Sequence, residues 1–457
     1  MLNESALADF SSSFRGTIIR PGTARYDEAR KVYNGMIDRK PAIMAQCVDV
    51  ADVVAAVRLG REQGLPIAIR GGGLNAGGLG ACDNGLVICL SRLRSTQLDL
   101  QEKTVRVGGG ALLRDVDHAT GMFGYAVPGG VISTTGVGGL TLGGGLGHLT
   151  RKHGLAIDNL LEAEVVLADG SVVRANAREH KDLFWALRGG GGNFGVVTSF
   201  LFRLHPLRSV YARPMLWPLD QAPVVMQWYA EYIATAPEDI NGFFAFLTVP
   251  TGDPFPKSIQ NTIMCGIVWC STAEEDEARR LLMPARKLNP VFEFAGSMPL
   301  AAVQSMFDSL YPPGLLWYWR ADFVNRLPEA AIEHHTRFAR AMPCPLSMMH
   351  LYPVNGAAAK VNEQETAWSY RDATWAMVIA GIDPDPSNKK RIVTWAQEYY
   401  DAVHPFSAEG AYINFLMHDE GNTRVRAAYR NNYARLATSK KRYDPANLFR
   451  VNQNIVP

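Results

Sequence analysis

The sequence predicts an α+β protein in which a glycine-rich first part is followed by a glycine-poor part built on an antiparallel sheet backed by helices. Three observations carry this. Glycine clusters crowd between Gly71 and Gly195 and do not recur as a repeat. Near Pro206 they stop, and from there to about Phe406 aromatic-rich apolar runs alternate with amphipathic stretches, the pattern of a sheet with helices against it. The last fifty residues change character again. The expected division is 1–205, 206–406 and 407–457.

The elements follow in order. Asp49 to Gly64 (DVADVVAAVRLGREQG) has apolar residues at helical spacing, an Asp at its start and a Gly at its end, so it reads as a helix. Pro66 to Arg70 (PIAIR), Gly85 to Leu90 and Thr104 to Gly109 read as strands, and Leu112 to Gly124 as a helix closed by glycine. Ala163 to Asn176 reads as a hairpin turned at Asp169-Gly170. His180 to Leu204 reads as a short helix, a glycine loop and a strand. In the second part NGFFAFLTV, TIMCGIVWC, LLWYWRADFV and TWAMVIAG read as strands, and EEDEARRLLMPARKL as a helix between them.

Bulk properties exclude several function classes. The 457 residues carry a net charge of +2, which makes no electrostatic case for nucleic acid. Hydrophobic residues are 47% and charged residues 20%, enough apolar mass for a large core. The densest basic spot, SKKRY at Ser439 to Tyr443, reads as a solvated helix end. Six cysteines, none in a CxxC pair and most in apolar runs, read as reduced core residues of a cytoplasmic protein. The first residues lack a basic stretch followed by an apolar core, so no secretory signal is read. No apolar run is long enough for a membrane span.

Three glycine-rich segments remain to be explained: Arg70 to Gly78, Gly129 to Asn159 and Arg188 to Thr198. In the second, seven of the twelve residues from Gly136 to Gly147 are glycine. Glycine lets backbone approach a ligand closely, and successive N–H groups can then converge on an anion. A diphosphate-bearing cofactor is the natural guest; tight turns alone are the structural alternative. GGGLNA fits GxGxxA and GGGNFG (Gly190 to Gly195) fits GxGxxG, yet neither opens a helix after a strand, as a Rossmann turn must. The phosphates would therefore be held by a loop nest and not by a helix N-terminus.

Together these segments resemble the FAD-binding domain of the vanillyl-alcohol-oxidase/PCMH flavoprotein superfamily, most closely its berberine-bridge-enzyme-like branch. AYINF (Ala411 to Phe415) resembles the Y-x-N segment of that branch, and YDPANLFRVNQNIVP (Tyr443 to Pro457) its C-terminal signature. With DNLLEAEVVLADG and FWALRGGGGNFGVVT, the resemblance covers nearly all of the first 205 residues and the last fifty. It implies a two-subdomain PCMH-type FAD-binding domain, a substrate domain inserted after it, and a C-terminal segment that returns to the FAD domain. It implies cofactor contacts at Arg70, Gly71, Gly72, Gly73, Leu74, Asn75 and Gly78. In the second segment it implies Pro128, Ile132, Thr134, Thr135, Gly138, Gly139, Thr141, Gly145 and His148. Gly195, Val196 and Val197 follow in the third, and Tyr412, Asn414, Asn452 and Asn454 at the C-terminal end.

Members of this branch usually have His at the position of Leu74, covalently linked to the flavin 8α-methyl group, and many add a cysteinyl link at the position of Ile132. Neither leucine nor isoleucine is a nucleophile. Three readings stand at Leu74: FAD bound without a covalent bond, a pocket that no longer holds FAD, or an introduced substitution. The density of glycines favours the first. His148 and His153 are alternative anchors, with an ordinary polar contact as the structural reading. Without the link the flavin is expected to be a weaker oxidant and more easily lost.

The resemblance implies a hydride passing from a substrate C–H to flavin N5, with the protein positioning and deprotonating the substrate. Relatives often place a tyrosine where this chain has Phe415, which cannot remove a proton. The candidate catalytic residues are therefore Tyr412, Tyr318 and Tyr370. Strand alternation puts Trp317 and Trp319 on one face and Tyr318 and Arg320 on the other, and separates Trp368 and Tyr370 from Arg371. An aromatic floor with an Arg suits a planar or anionic substrate. The structural alternative has the Trp residues as core and the Arg residues paired with Asp322 and Asp372. His418 to Glu420 reads as a loop of solvated charges, and no metal is expected.

The expected function is that of an FAD-dependent oxidoreductase, oxidase or dehydrogenase, acting on an alcohol, sugar, amine or phenolic natural product. Thr135 stands where relatives tune oxygen access, which leaves O2 open as acceptor. A non-redox cyclase that keeps FAD and a flavin-free binding protein of the same fold are the alternatives. The expected partners are a small-molecule substrate, with no nucleic acid and no membrane.

Overall fold

The computed structural model describes residues 3–457. A four-stranded sheet comes first, in the order Thr17–Ile19, Ile43–Gln46, Leu86–Cys89, Ile67–Arg70, its last three strands parallel. The helix Val50–Glu62 makes the crossover between Ile43–Gln46 and Ile67–Arg70. Its start is capped by the Asp49 carboxylate, which accepts from Asp52 N–H at 3.0 Å. Its apolar stripe, Val53, Ala56, Val57 and Gly60, is buried.

A five-stranded antiparallel sheet follows, ordered Thr96–Asp99, Thr104–Gly108, Val196–Arg203, Leu160–Val166, Val172–Asn176. The hairpin at Asp169-Gly170 forms as its turn residues predict, with Gly170 at φ +84°. The short helices Leu113–Gly121, Val137–Leu142 and Lys181–Leu187 carry the glycine segments between these strands.

The third sheet has eight strands and is antiparallel throughout. Its central run is Ile263–Ser271, Ile240–Thr248, Met348–Pro353, Trp375–Asp383, Leu316–Val324. Helices Ala222–Thr235, Glu329–Arg340 and Lys389–Val403 pack against it. Tyr229 and Tyr399 are fully buried there, with Trp375 Nε1 donating to the Tyr229 hydroxyl at 3.2 Å. Four of these central strands match the sequence expectation. Met348–Pro353 was not anticipated, and neither was Val210–Pro218. The predicted helix across EEDEARRLLMPARKL is broken at Leu282 into Glu275–Leu281 and Met283–Arg286, because Pro284 restarts it.

Buried amides stitch the large sheet onto the glycine-rich part. Asn34 Nδ2 donates to Ala76 O and Trp317 O, and its Oδ1 accepts from Trp317 N–H. Asn241 Nδ2 donates to Gly147 O and His148 O, both at 2.8 Å. The C-terminal stretch ends in helices Gly421–Tyr429 and Tyr433–Tyr443 and a final loop. Here the sequence reading needs a correction, because Lys440 is fully buried and not part of a solvated end. Its ammonium donates to Asp444 at 2.7 Å and to Asn193 O and Phe449 O at 2.8 Å each, so all three of its hydrogens are satisfied. All six cysteines are free and buried. No helix among the described residues is long and apolar enough to cross a membrane.

Candidate active site

One cavity of about 630 Å³ lies between the glycine segments and the inner face of the large sheet. It is within the size range of small-molecule and cofactor sites. Its first half is backbone. Strand Ile67–Arg70 delivers the chain into Gly71, Gly72 and Gly73, and none of the N–H groups from Gly71 to Gly77 finds a protein acceptor among the described residues. Gly138 and Gly139 bring two more unpaired N–H groups to the wall from the first turn of Val137–Leu142. Asn452 lines the same half, with its amide nitrogen donating to Gly192 O and Phe449 O and its Oδ1 buried without a partner. Such a run of donors suits a diphosphate, and the residues present fit an FAD-like cofactor.

The glycines divide into two roles. A Cβ at Gly72 would lie 2.6 Å from Gly136 N, so the first and second segments touch backbone to backbone. A Cβ at Gly143 would strike the Asn414 side chain at 2.2 Å. By contrast a Cβ at Gly139 or Gly192 would meet no protein atom within 4 Å, and both residues line the cavity. Part of the glycine density is thus explained by chain packing alone, and only the remainder bears on a ligand.

Of the cofactor contacts expected from sequence, Gly71, Gly72, Gly73, Leu74, Asn75, Ile132, Thr135, Gly138, Gly139, Gly195, Val197, Tyr412, Asn414 and Asn452 line the cavity. Gly78, Pro128, Thr134, Thr141, Gly145, His148, Val196 and Asn454 lie outside its wall. Arg70 lines it, but its guanidinium donates to the carbonyls of Gly80, Ala29, Lys31 and Arg30. It shapes the glycine loop and has little left for a phosphate. His148 is buried beside Phe243, and His153 stacks on His205 at 3.9 Å, so neither reaches the cavity as an anchor.

Two of the three candidate tyrosines are displaced. Tyr318 points to the far face of its strand, where its hydroxyl donates to Asp419 at 2.8 Å and accepts from Gln397 Nε2. Tyr370 is stacked on Phe323 at 4.3 Å and donates to backbone carbonyls. Tyr412 does line the cavity. Its oxygen accepts from Gly145 N–H at 2.9 Å and from Asn414 Nδ2 at 2.7 Å, and burial pushes its pKa up to about 12. With both lone pairs taken it can offer a proton but cannot take one.

The arginines are paired, as the structural alternative held, but with other partners. Arg320 meets Asp419, and Arg371 meets Asp158. Asp322 holds Arg424 and His404, and Asp372 holds Arg430. In the His418 to Glu420 loop His418 and Asp419 are exposed, as expected, although Asp419 also pairs with Arg320, whereas the Glu420 carboxylate is buried against Arg424.

The second half of the cavity contains a pair that sequence reading missed. His350 and Tyr352 alternate on Met348–Pro353, so both face inward. His350 Nδ1 lies 2.6 Å from the Tyr352 hydroxyl. Burial pulls the His350 pKa down to about 3 and pushes that of Tyr352 up, so both are neutral at neutral pH. His350 lines the cavity, and its one side-chain hydrogen bond among the described residues is that of Nδ1, which leaves Nε2 for a ligand. His350 is the one histidine of the wall among the described residues, which has no cysteine, lysine, aspartate or glutamate. The period-2 placing of His and Tyr in MMHLYP was the available signal; the prolines close by at Pro345 and Pro353 masked it.

Residues 41–176 match the family model described as an FAD binding domain, and residues 411–456 the one described as berberine and berberine like. An FAD-linked oxidoreductase of Pyricularia oryzae is 31% identical over 423 residues, covering 88% of this chain and 81% of that protein. The crystal structure of 6-hydroxy-D-nicotine oxidase from Arthrobacter nicotinovorans superposes with a TM-score of 0.86 at 25% identity, over 97% of this chain and 98% of that one. A carbohydrate oxidase from Microdochium nivale shares the fold at a TM-score of 0.85 and 22% identity, over 99% of each chain.

Proposed function

The chain belongs to the FAD-linked oxidoreductases of the berberine and berberine-like family, and on that premise we propose that it binds FAD without a covalent link and oxidises a small molecule held against His350. The observation that carries the reading is a single cavity whose wall runs from the unpaired N–H groups of Gly71 to Asn75 to the inward face of Met348–Pro353. Leu74 and Ile132 both stand on that wall, and neither side chain can form the bond. The same reading divides the chain into an FAD-binding part at 1–205, a substrate-binding part at 206–406 and a returning segment at 407–457. The six free, buried cysteines support a reducing, cytoplasmic setting.

Bound FAD supplies a hydride acceptor. The chain's residues supply position, proton handling and exclusion of water. The His350–Tyr352 pair has two arrangements. In one, Tyr352 O–H donates to Nδ1 and Nε2 carries a hydrogen into the cavity. In the other, Nδ1–H donates to the tyrosine oxygen and Nε2 presents a lone pair to a substrate hydroxyl. The first holds a substrate oxygen; the second takes its proton. Burial disfavours the imidazolium, so His350 accepts that proton only as negative charge develops on the substrate oxygen.

Titrating flavin-stripped protein with FAD tests the binding. Saturable uptake of one FAD per chain is expected. Gly139→Leu adds a side chain whose Cβ meets no protein atom within 4 Å, so it should weaken FAD binding and leave thermal unfolding unchanged. Protein that takes up no FAD, or a Gly139→Leu variant of unchanged affinity, contradicts the proposal.

A further inference from the structure

The wall around His350 narrows the substrate, given the proposed oxidoreductase reading on which this step rests. Sheet register sets the shape. His350 pairs with Ala245 on one neighbouring strand and with Val378 on the other, and Val378 pairs in turn with Ala321. Small side chains therefore flank the histidine on both sides. The next rows are large: Phe243 lies 5.1 Å from both the His350 and Tyr352 rings, and Trp319 meets Phe415 edge-on at 5.7 Å. The result is a slot with His350 in its floor and aromatic walls.

The slot also offers no free charge and few polar groups to a substrate. The one charged residue on the whole wall, among the described residues, is Arg70, and its guanidinium is bonded to four backbone carbonyls beneath the glycine loop. No carboxylate stands ready for an ammonium, and no free cation for a carboxylate. The tyrosine hydroxyls of the wall are engaged: Tyr33 donates to Tyr311 O at 2.6 Å, Tyr311 to Met348 S at 3.6 Å, and Tyr352 pairs with His350. A pyranose brings several hydroxyl groups, and burying them here would leave most of them unpartnered. The other polar groups on this half are few: the indole N–H groups of Trp317 and Trp319, donors without a partner among the described residues, and the side chains of Thr248, Thr251 and Asn261, the last two reaching solvent.

We infer that this cavity takes an uncharged, flat, largely apolar substrate, an aromatic or polycyclic alcohol or phenol with one oxygen set against His350 Nε2, and that it rejects sugars and cationic amines. The fold it shares with a carbohydrate oxidase does not extend to a sugar-binding wall. Aromatic faces can also attract a cation, so the amine must be an explicit arm of the test.

The test uses flavin-loaded protein and three probes: 2-naphthalenemethanol, 2-naphthylmethylamine in its ammonium form, and cellobiose. Binding is read by calorimetry and by quenching of tryptophan emission, since Trp317 and Trp319 stand in the wall. The alcohol should bind saturably, the ammonium at least roughly tenfold more weakly, and cellobiose not at all at matched concentration. Ala245→Trp fills the slot and should weaken the alcohol by roughly tenfold or more with flavin content unchanged. Absence of alcohol binding, equal or tighter binding of cellobiose or the ammonium, or an inert Ala245→Trp overturns the inference. The wild-type ranking stands even if that variant does not fold. Flavin content and reduction by dithionite are measured on the same sample. Protein that binds the alcohol but holds no flavin would sink the oxidoreductase reading alone, and a flavoprotein that prefers cellobiose would sink the substrate class alone.

Discussion

His350 Nδ1 lies 2.6 Å from the Tyr352 hydroxyl, two residues along one strand and on its inward face. Neither ring nitrogen meets a carboxylate, and burial keeps the imidazole neutral. Replacing His350 by Gln should slow reduction of the flavin by a bound alcohol by about 10²-fold, with KM little changed. Tyr352→Phe should cost less, because it frees Nδ1 without removing Nε2. Anaerobic stopped-flow measures both. The wild-type rate should also show no inflection near the ordinary histidine value of about 6.5. A rate in His350→Gln equal to wild type would remove His350 from the chemistry.

Lys440 is buried against Asp444, and the same ammonium holds Asn193 O and Phe449 O. Asn193 and Phe449 both line the cavity. Lys440→Met would leave the Asp444 carboxylate buried without its counter-ion, at about 3–5 kcal/mol of stability. Urea unfolding should show this, and FAD should dissociate more readily. Lys440→Met with Asp444→Leu should recover only part of the loss, because Asp444 also accepts from Leu448 and Phe449 N–H.

Two other histidines make the fold sensitive to acid. Burial holds His148 at about 4 and His335 at about 3. The unfolded chain protonates both near pH 6.5 and the folded chain does not. Stability is therefore full above about 6.5 and is lost as pH falls toward those values, by up to about 1.4 kcal/mol per pH unit for each group. His404 acts oppositely. Its hydrogen bond to Asp322 raises its pKa, so its contribution is full below its unfolded value and fades as pH rises through its folded one. Urea midpoints between about pH 7 and pH 5 should fall, and His148→Phe should flatten the slope. A flat wild-type profile would contradict this.

Leu74 faces the cavity from the glycine loop. Leu74→His should place a nucleophile where the family resemblance implies a flavin link. A fraction of the flavin should then stay with the protein after acid denaturation. Complete release from that variant would mean that position 74 lies out of reach of the ring.

Much of this architecture was readable in advance because local chemistry and tertiary packing agree in it. Asp49 and Gly64 bound their helix, Asp169-Gly170 turns its hairpin, and the Trp317/Trp319 alternation holds in the sheet. The failures share a cause. Met348–Pro353 carries the His350–Tyr352 pair, but prolines interrupt the signal of a strand that is paired on both sides. Lys440 looked like surface because its sequence neighbours are basic, and only Asn193 and Phe449, distant or just beyond in the chain, explain its burial. Tyr318 does sit on the expected strand, but which face met the cavity depended on the large sheet's docking, to which Asn34 and Asn241 contribute; the alternation expected for Trp368, Tyr370 and Arg371 fails, because they lie in the loop before Trp375–Asp383.

The most direct test of the account is acid precipitation of the purified protein after its visible spectrum is recorded. A yellow protein that releases all its colour to the supernatant is the predicted result, with FAD held by the Gly71–Asn75 loop and no bond at Leu74. Colour that stays in the pellet would contradict the non-covalent link, and a colourless protein that takes up no added FAD would contradict the proposed function itself.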